Sequence, residues 1–242
     1  MPVNFFSLPP ELRNEIYTYL LIRREPINPW NGDNELHPKI LLTNTAVLHE
    51  ARALLYGHNR FDLKCEPGQI SEFLDTIGFI NASHLQCIYI DFPRFHNVEE
   101  EVSLEEGSLH DLEIIQSYCT DIRKLITNFE STIAMETWLV SFDSPTICVR
   151  ALALIAARFR AISSLQEIVI EVDHDQGPIQ REMKSHGWIL QGVMLELVGE
   201  WEDFEGDVYP DNDCDDDDYD DNDGWDSYMR GYRAGAFGHP SP

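Results

Sequence analysis

Basic residues are scarce in this 242-residue chain: 17 Lys and Arg stand against 43 Asp and Glu, for a formal net charge of −26. That balance argues against nucleic acid as a direct partner, because phosphate contacts need clustered Lys and Arg. It argues equally against adsorption to an anionic membrane. Cysteine is thin and unpaired: Cys65, Cys87, Cys119, Cys148 and Cys214 are odd in number, scattered, and never in a Cys-x-x-Cys pair. That pattern reads as reduced thiols inside a cell, mostly small core residues, rather than a disulfide framework. Long apolar runs are missing too. Ile147 to Ile162 is interrupted by Arg150, Arg158 and Arg160, whereas a spanning helix needs about 20 mostly apolar residues. Met1 to Leu8 has neither the basic start nor the apolar stretch of a secretory signal. The expected location is intracellular, cytoplasmic or nuclear, and Asn81-Ala82-Ser83 is then an accidental glycosylation match.

Catalytic signatures are absent in the same way. His49-Glu50 opens like a zinc-protease helix, but Ala53 stands where the second His is required. His84 and Cys87 have ligand-type spacing without a second pair nearby, so they read as a loop His beside a core Cys. No Gly-x-Ser-x-Gly elbow and no phosphate-cradling Gly loop occurs. Ser108, His110 and Asp111 are sequence neighbours, and adjacent side chains do not face each other on a helix. The expectation is a non-enzyme with no cofactor and no metal.

Enough apolar material is present for a substantial core, at 43% of residues with 11% aromatic. The most informative stretch is Leu8-Pro9-Pro10-Glu11-Leu12-Arg13-Asn14-Glu15-Ile16-Tyr17-Thr18-Tyr19-Leu20-Leu21. It sets Leu8, Leu12, Ile16 and Leu20 four residues apart, as one stripe on a short helix. Ser7 is the expected cap, with prolines tolerated in the first turn. Such a helix must bury apolar surface against something, either a partner or this chain's own sheet. Further on, Leu41-Leu42-Thr43-Asn44 leads into Glu50-Ala51-Arg52-Ala53-Leu54-Leu55-Tyr56-Gly57-His58-Asn59-Arg60-Phe61. The first stretch closely resembles the opening of an F-box, the helical module by which substrate adaptors dock on a ubiquitin ligase scaffold. The pair resembles a group of fungal F-box-like proteins marked by Glu-x-Arg motifs, over roughly the first quarter of the chain. It departs from a conventional F-box in having Tyr56 near where a Trp is usual, and a longer Pro- and Asn-rich connector from Glu25 to Pro38. The resemblance implies an adaptor that docks through Leu8, Pro9, Leu12, Ile16 and Leu20.

Beyond the hairpin the pattern reads as α/β or α+β, with the F-box-like unit at 1–65, an α/β layer at 66–201 and a tail at 202–242. Strands are expected at 61–63, 84–92, 137–142, 164–172 and 193–198. Helices are expected near 68–80, 109–129, 147–162 and 178–186, with an exposed acidic loop at 99–106. Leu85-Gln86-Cys87-Ile88-Tyr89-Ile90 matches Leu165-Gln166-Glu167-Ile168-Val169-Ile170. Each copy follows a helix, and the spacing resembles that of leucine-rich-repeat strands. Helix and strand in alternation imply crossovers and a mostly parallel sheet, here a degenerate leucine-rich-repeat-like layer.

The tail is the most acidic part. Residues 202–226 hold 14 Asp and Glu and no Lys or Arg. A calcium loop is excluded: with Gly224 at the sixth position, Tyr219 and Arg230 fall where the first and last ligands belong. The run reads as a disordered, self-repelling tail. As an alternative role, Asp215, Asp216, Asp217, Asp218, Asp220 and Asp221 would bind a basic protein, with Tyr219, Trp225 and Tyr228 as anchors.

Overall fold

The structure, a computed structural model, describes residues 4–31, 36–64, 68–99, 101–174 and 176–193. The expected final strand beyond Val193, the acidic tail, Cys65 and Cys214 lie outside these residues. The fold is mixed α/β. Helix α1 (Pro10–Leu21) and α2 (Thr45–His58) form a hairpin, linked through a 3-10 segment at Pro38–Leu42. Strand β1 (Arg60–Asp62), α3 (Gln69–Ile77), α4 (Phe79–Ala82) and β2 (Cys87–Ile90) follow. Next come β3 (Phe95–Asn97), β4 (Ser103–Leu104), α5 (Glu106–Tyr118), β5 (Lys124–Thr127), α6 (Phe129–Val140) and α7 (Pro145–Ala161). Strand β6 (Glu167–Val172), α8 (Pro178–Ser185) and β7 (Ile189–Gly192) complete the described chain.

The main sheet runs in the order β1-β2-β5-β6-β7, parallel throughout. Each strand lies beside the next sheet strand in chain order, and helices from successive connections pack on one another, α3 with α5, α5 with α7 and α7 with α8. One side-chain parity, with Phe61, Ile88, Ile90, Leu125, Ile170 and Val172, enters the large core with Phe159 and Trp188. The other parity carries Tyr89, the buried Ile126 and Val169, and an ion pair from Lys124 to Glu167 at 3.2 Å. These two residues are register partners on neighbouring strands, where opposite charges help fix the pairing.

Register reveals a third copy of the repeated pattern. Ile88 pairs with Leu125 and Leu125 with Ile168, so Ile122-Arg123-Lys124-Leu125-Ile126-Thr127 belongs with the two matching segments. The turns before the strands agree: Gln86 O accepts from the Arg123 and Lys124 amides, and Arg123 O accepts from the Gln166 and Glu167 amides, at 2.8–3.0 Å. The expected helix over 109–129 is therefore wrong in its second half. It ends at Tyr118, and Leu125 and Ile126 lie on a strand. The stretch 137–142, read as a strand for its Trp, Leu and Val, is instead the end of α6 and the turn after it. Asn128 caps this helix by accepting the Ser131 amide at 2.9 Å. Thr132, Met135 and Leu139 bury at helical spacing, and that packing overrides local strand propensity.

The acidic loop at 99–106 also differs. Ser103–Leu104 pairs antiparallel with Phe95–Asn97, and Glu106 already belongs to α5. Residues 68–80 hold two helices rather than one, split at Gly78, whose φ of 77° is a left-handed conformation that suits glycine.

Candidate protein-docking site

Helix α1 is held inward by residues other than its Leu/Ile stripe. Tyr17 and Leu21 are fully buried, in a small cluster with Leu41, Val47, Ala51 and Leu55. Leu20 packs only partly against that cluster, and Leu8 is half-buried. Pro9 is exposed, Leu12 and Ile16 are 46% and 36% exposed, and next to them Tyr19 is 88% exposed. The predicted docking residues thus form a mostly solvent-facing edge, with Leu20 at its inner margin. Ser7 does not cap α1. Pro9 occupies the cap position with no side-chain bond, and Ser7 closes a 3-10 turn by donating to Asn4 O at 2.5 Å.

A polar clamp fixes this orientation. Arg13 projects toward α2 and donates from Nε and Nη2 to the two oxygens of Glu50, at 3.0 and 2.7 Å. Its Nη1 donates to the Leu8 carbonyl at 2.7 Å, which ties the entry of α1 to the same group. The Tyr17 hydroxyl donates to Glu50 Oε2 at 3.0 Å. Two-pronged Arg–carboxylate pairing adds direction as well as attraction. The Arg13 fork holds the Glu50 carboxyl below its usual range, against some desolvation. Burial first, then the bond to Glu50, pushes the Tyr17 hydroxyl up. Glu50 opens the Glu50-Ala51-Arg52 triplet of the sequence, and its place in the clamp gives that position a physical role. By holding Arg13 and Tyr17 it rotates α1 so that Tyr17 faces inward and Leu12 and Ile16 face out.

The far end of the hairpin is stapled by Asn59, which is buried. Its amide group donates to Leu21 O at 2.6 Å and Leu55 O at 2.8 Å, and its oxygen accepts from the Arg23 amide at 2.8 Å. Carbonyls at both helix C-termini, which lack intrahelical donors, are satisfied by one side chain. Sequence reading missed Arg13, Tyr17 and Asn59 as positioning residues. A charged residue one position after Leu12, paired by type with Glu50 in the second motif, was the available signal.

The catalytic look-alikes are not assembled. Glu50 is engaged by Arg13 and Tyr17, while His49 is exposed. His84 lies in the turn before β2, and Cys87 is half-buried, with burial raising its thiol pKa. Among the described residues no group of three His, Cys, Asp or Glu side chains could hold a metal ion, and no helix is long and apolar enough to cross a membrane. Fold and site together define an α/β protein with an apolar helix edge turned to solvent. Family models, curated proteins and solved structures give no match to the chain.

Proposed function

We propose that this chain is a non-enzymatic intracellular adaptor of the F-box type, docking a ubiquitin ligase scaffold subunit through α1. The observation that carries the reading is the outward edge of Leu12 and Ile16 beside Leu8 and Pro9, on a helix whose inward packing is already met by Tyr17 and Leu21. A docking stripe has to be free while its helix stays anchored, and here different residues do the two jobs. The motif pair of the sequence supplies the family expectation, and the Arg13–Glu50 clamp joins its two halves. The α/β layer then serves as the client-facing body.

The test is a calorimetric titration of the full chain with the ligase scaffold subunit, wild type against the double variant Leu12→Asp/Ile16→Asp. Saturable binding by the wild type, lost in a variant with unchanged circular dichroism, supports the reading. No association at micromolar concentrations overturns the ligase assignment.

A second reading rests on the 14 acidic residues, unaccompanied by Lys or Arg, at 202–226. In it the Asp215–Asp221 segment binds a basic protein. Such binding weakens steeply with salt, because exposed charges are screened over about 8 Å at physiological ionic strength. Replacement of Asp215, Asp216, Asp217 and Asp218 by Asn in the full chain should abolish it, and unchanged binding would rule it out.

A further inference from the structure

At the C-terminal ends of β2 and β5 the chain forms a cleft that the docking reading does not use. Its outer part, about 530 Å³, is lined by Asp91 to Phe95, Glu105, Asn128, Glu130, Ser131, Met135 and Trp138. A smaller inner cavity of about 50 Å³ shares Asp91, Phe92, Pro93, Arg94 and Glu105 and reaches Asp111. The walls are fixed. Phe92 N donates to Ser131 Oγ at 2.8 Å, Arg94 N to Ser108 Oγ at 2.9 Å, and Glu105 N to Arg94 O at 2.9 Å. Asn128 donates to Asp91 while its backbone amide donates to Ile90 O at 3.2 Å. One side is a flat aromatic surface, with Trp138 stacked on Phe95 at 5.7 Å and 8°.

The charge of the cleft is one-sided. Asp91, Glu105, Asp111 and Glu130 face it against the single Arg94. The Asp111 Oδ1 atom is buried and has no hydrogen-bond partner. An unpaired buried acceptor costs free energy until a donor reaches it. Desolvation raises the carboxyl pKa of both Asp91 and Asp111, opposed in part by Asn128 at the first and by His110 and the Gly68 amide at the second. Cavities with a few convergent polar groups and perturbed carboxyls are where ligands bind. Planar cations match this lining in two ways, by bonding to carboxylates and by stacking on an aromatic face.

From the cavity, the aromatic wall and the unpaired Asp111 oxygen we infer that this cleft binds an alkyl guanidinium, supplied by a free small molecule or by an arginine side chain of a protein. The guanidinium lies over Trp138 and donates to Asp91, with Glu105 and Glu130 at the mouth and Asp111 beneath. The inference is independent of α1 docking, and a positive result would give the α/β layer a recognition site of defined chemistry.

Calorimetric titration of the full chain with butylguanidine and with acetyl-Gly-Arg-Gly-amide tests it, using butylurea and acetyl-Gly-citrulline-Gly-amide as neutral isosteres. The expected result is saturable binding of the guanidinium form, at least tenfold tighter than the urea form. It should fall at least tenfold in Asp91→Asn and in Trp138→Ala, and be retained when Asp215, Asp216, Asp217 and Asp218 are replaced by Asn. Preference for the peptide identifies a protein arginine as the source, and equal affinity for both probes a free ligand. Three outcomes overturn the proposal: no binding, equal binding of the urea compounds, or binding lost with the tail substitutions and untouched by Asp91→Asn. The Asp91→Asn variant is nearly isosteric and keeps the fold if Trp138→Ala does not.

Discussion

The hairpin and the parallel layer bury apolar surface on very different scales. In the small cluster of the hairpin six side chains are buried, and one of them, Tyr17, ends in a hydroxyl that needs Glu50. Behind the sheet a continuous core runs from Ile27 to Trp188, with Phe92, Ile155 and Phe159 packed around Trp188 and the strands. A small core cannot orient a helix by apolar contact alone, and the hairpin compensates with directional bonds from Arg13, Tyr17 and Asn59. In the layer, directional bonds gather instead at the C-terminal ends of the strands, where Asp91 accepts from Asn128 and Glu171 from the Phe129 amide.

The sharpest contrast is in core truncation. Phe159→Ala removes a fully buried ring whose centroid lies 5.7 Å from that of Trp188, and losses of about 3–5 kcal/mol are usual for such changes. Urea unfolding should show that loss over the whole layer. Leu21→Ala in the hairpin should cost about 2–3 kcal/mol, the low end for a buried Leu, because a small cluster at a helix end can collapse around the gap. Equal losses in the two variants would mean that the hairpin core is as rigid as the layer.

Acid should separate the regions by sign. The folded pKa of Glu50 is depressed, so its contribution is complete above its ordinary value of 4.5 and is lost as pH falls through the folded pKa. For Asp91, Asp111 and Glu136 burial raises the folded pKa. Their contribution is present below the ordinary carboxyl pKa and is lost as pH rises through the raised value. From neutral pH down to 4.5 these layer sites therefore tighten while the hairpin holds, and the hairpin loosens only as the pH falls below 4.5. Amide hydrogen exchange of α2 against that of α5, followed over this range, reads the divergence, and Glu50→Gln should flatten the α2 response. Asp111→Asn should stabilise the protein at neutral pH, with the gain shrinking as the medium is made acid enough to protonate the native carboxyl. A loss of stability on Asp111→Asn at neutral pH would contradict the burial argument.

How much of this the sequence discloses follows the same division. The mixed α/β class, the parallel sheet and helices α7 and α8 were legible, because period-3.6 burial and the two matched Leu-x-x-Ile-x-Ile segments state them directly. Strand β5 was hidden because Ile122, Leu125 and Ile126 continue the helical spacing of α5, and only pairing with Ile88 and Ile168 distinguishes the two. The end of α6 was hidden for the opposite reason, since Trp138, Leu139 and Val140 favour strands until Met135 and Leu139 find the core. At the candidate site the stripe itself was visible, but its direction was not. Direction depends on Arg13 meeting Glu50, 37 positions further along the chain, a contact no local pattern encodes.

The smallest expected change in stability is also the one most informative about function. Leu12→Asp/Ile16→Asp alters two residues whose side chains lie outside the small core that buries Tyr17 and Leu21. Exposed substitutions away from caps and buried networks stay within about 0.5 kcal/mol, and neither residue takes part in the Arg13–Glu50 clamp. Thermal unfolding should therefore barely move, while Leu21→Ala shifts it clearly. If instead the double variant unfolds as readily as Leu21→Ala, the stripe is structural and α1 has no free face. A stable double variant leaves two exposed branched side chains on an anchored helix with no folding role, which is the condition that the proposed docking through α1 requires.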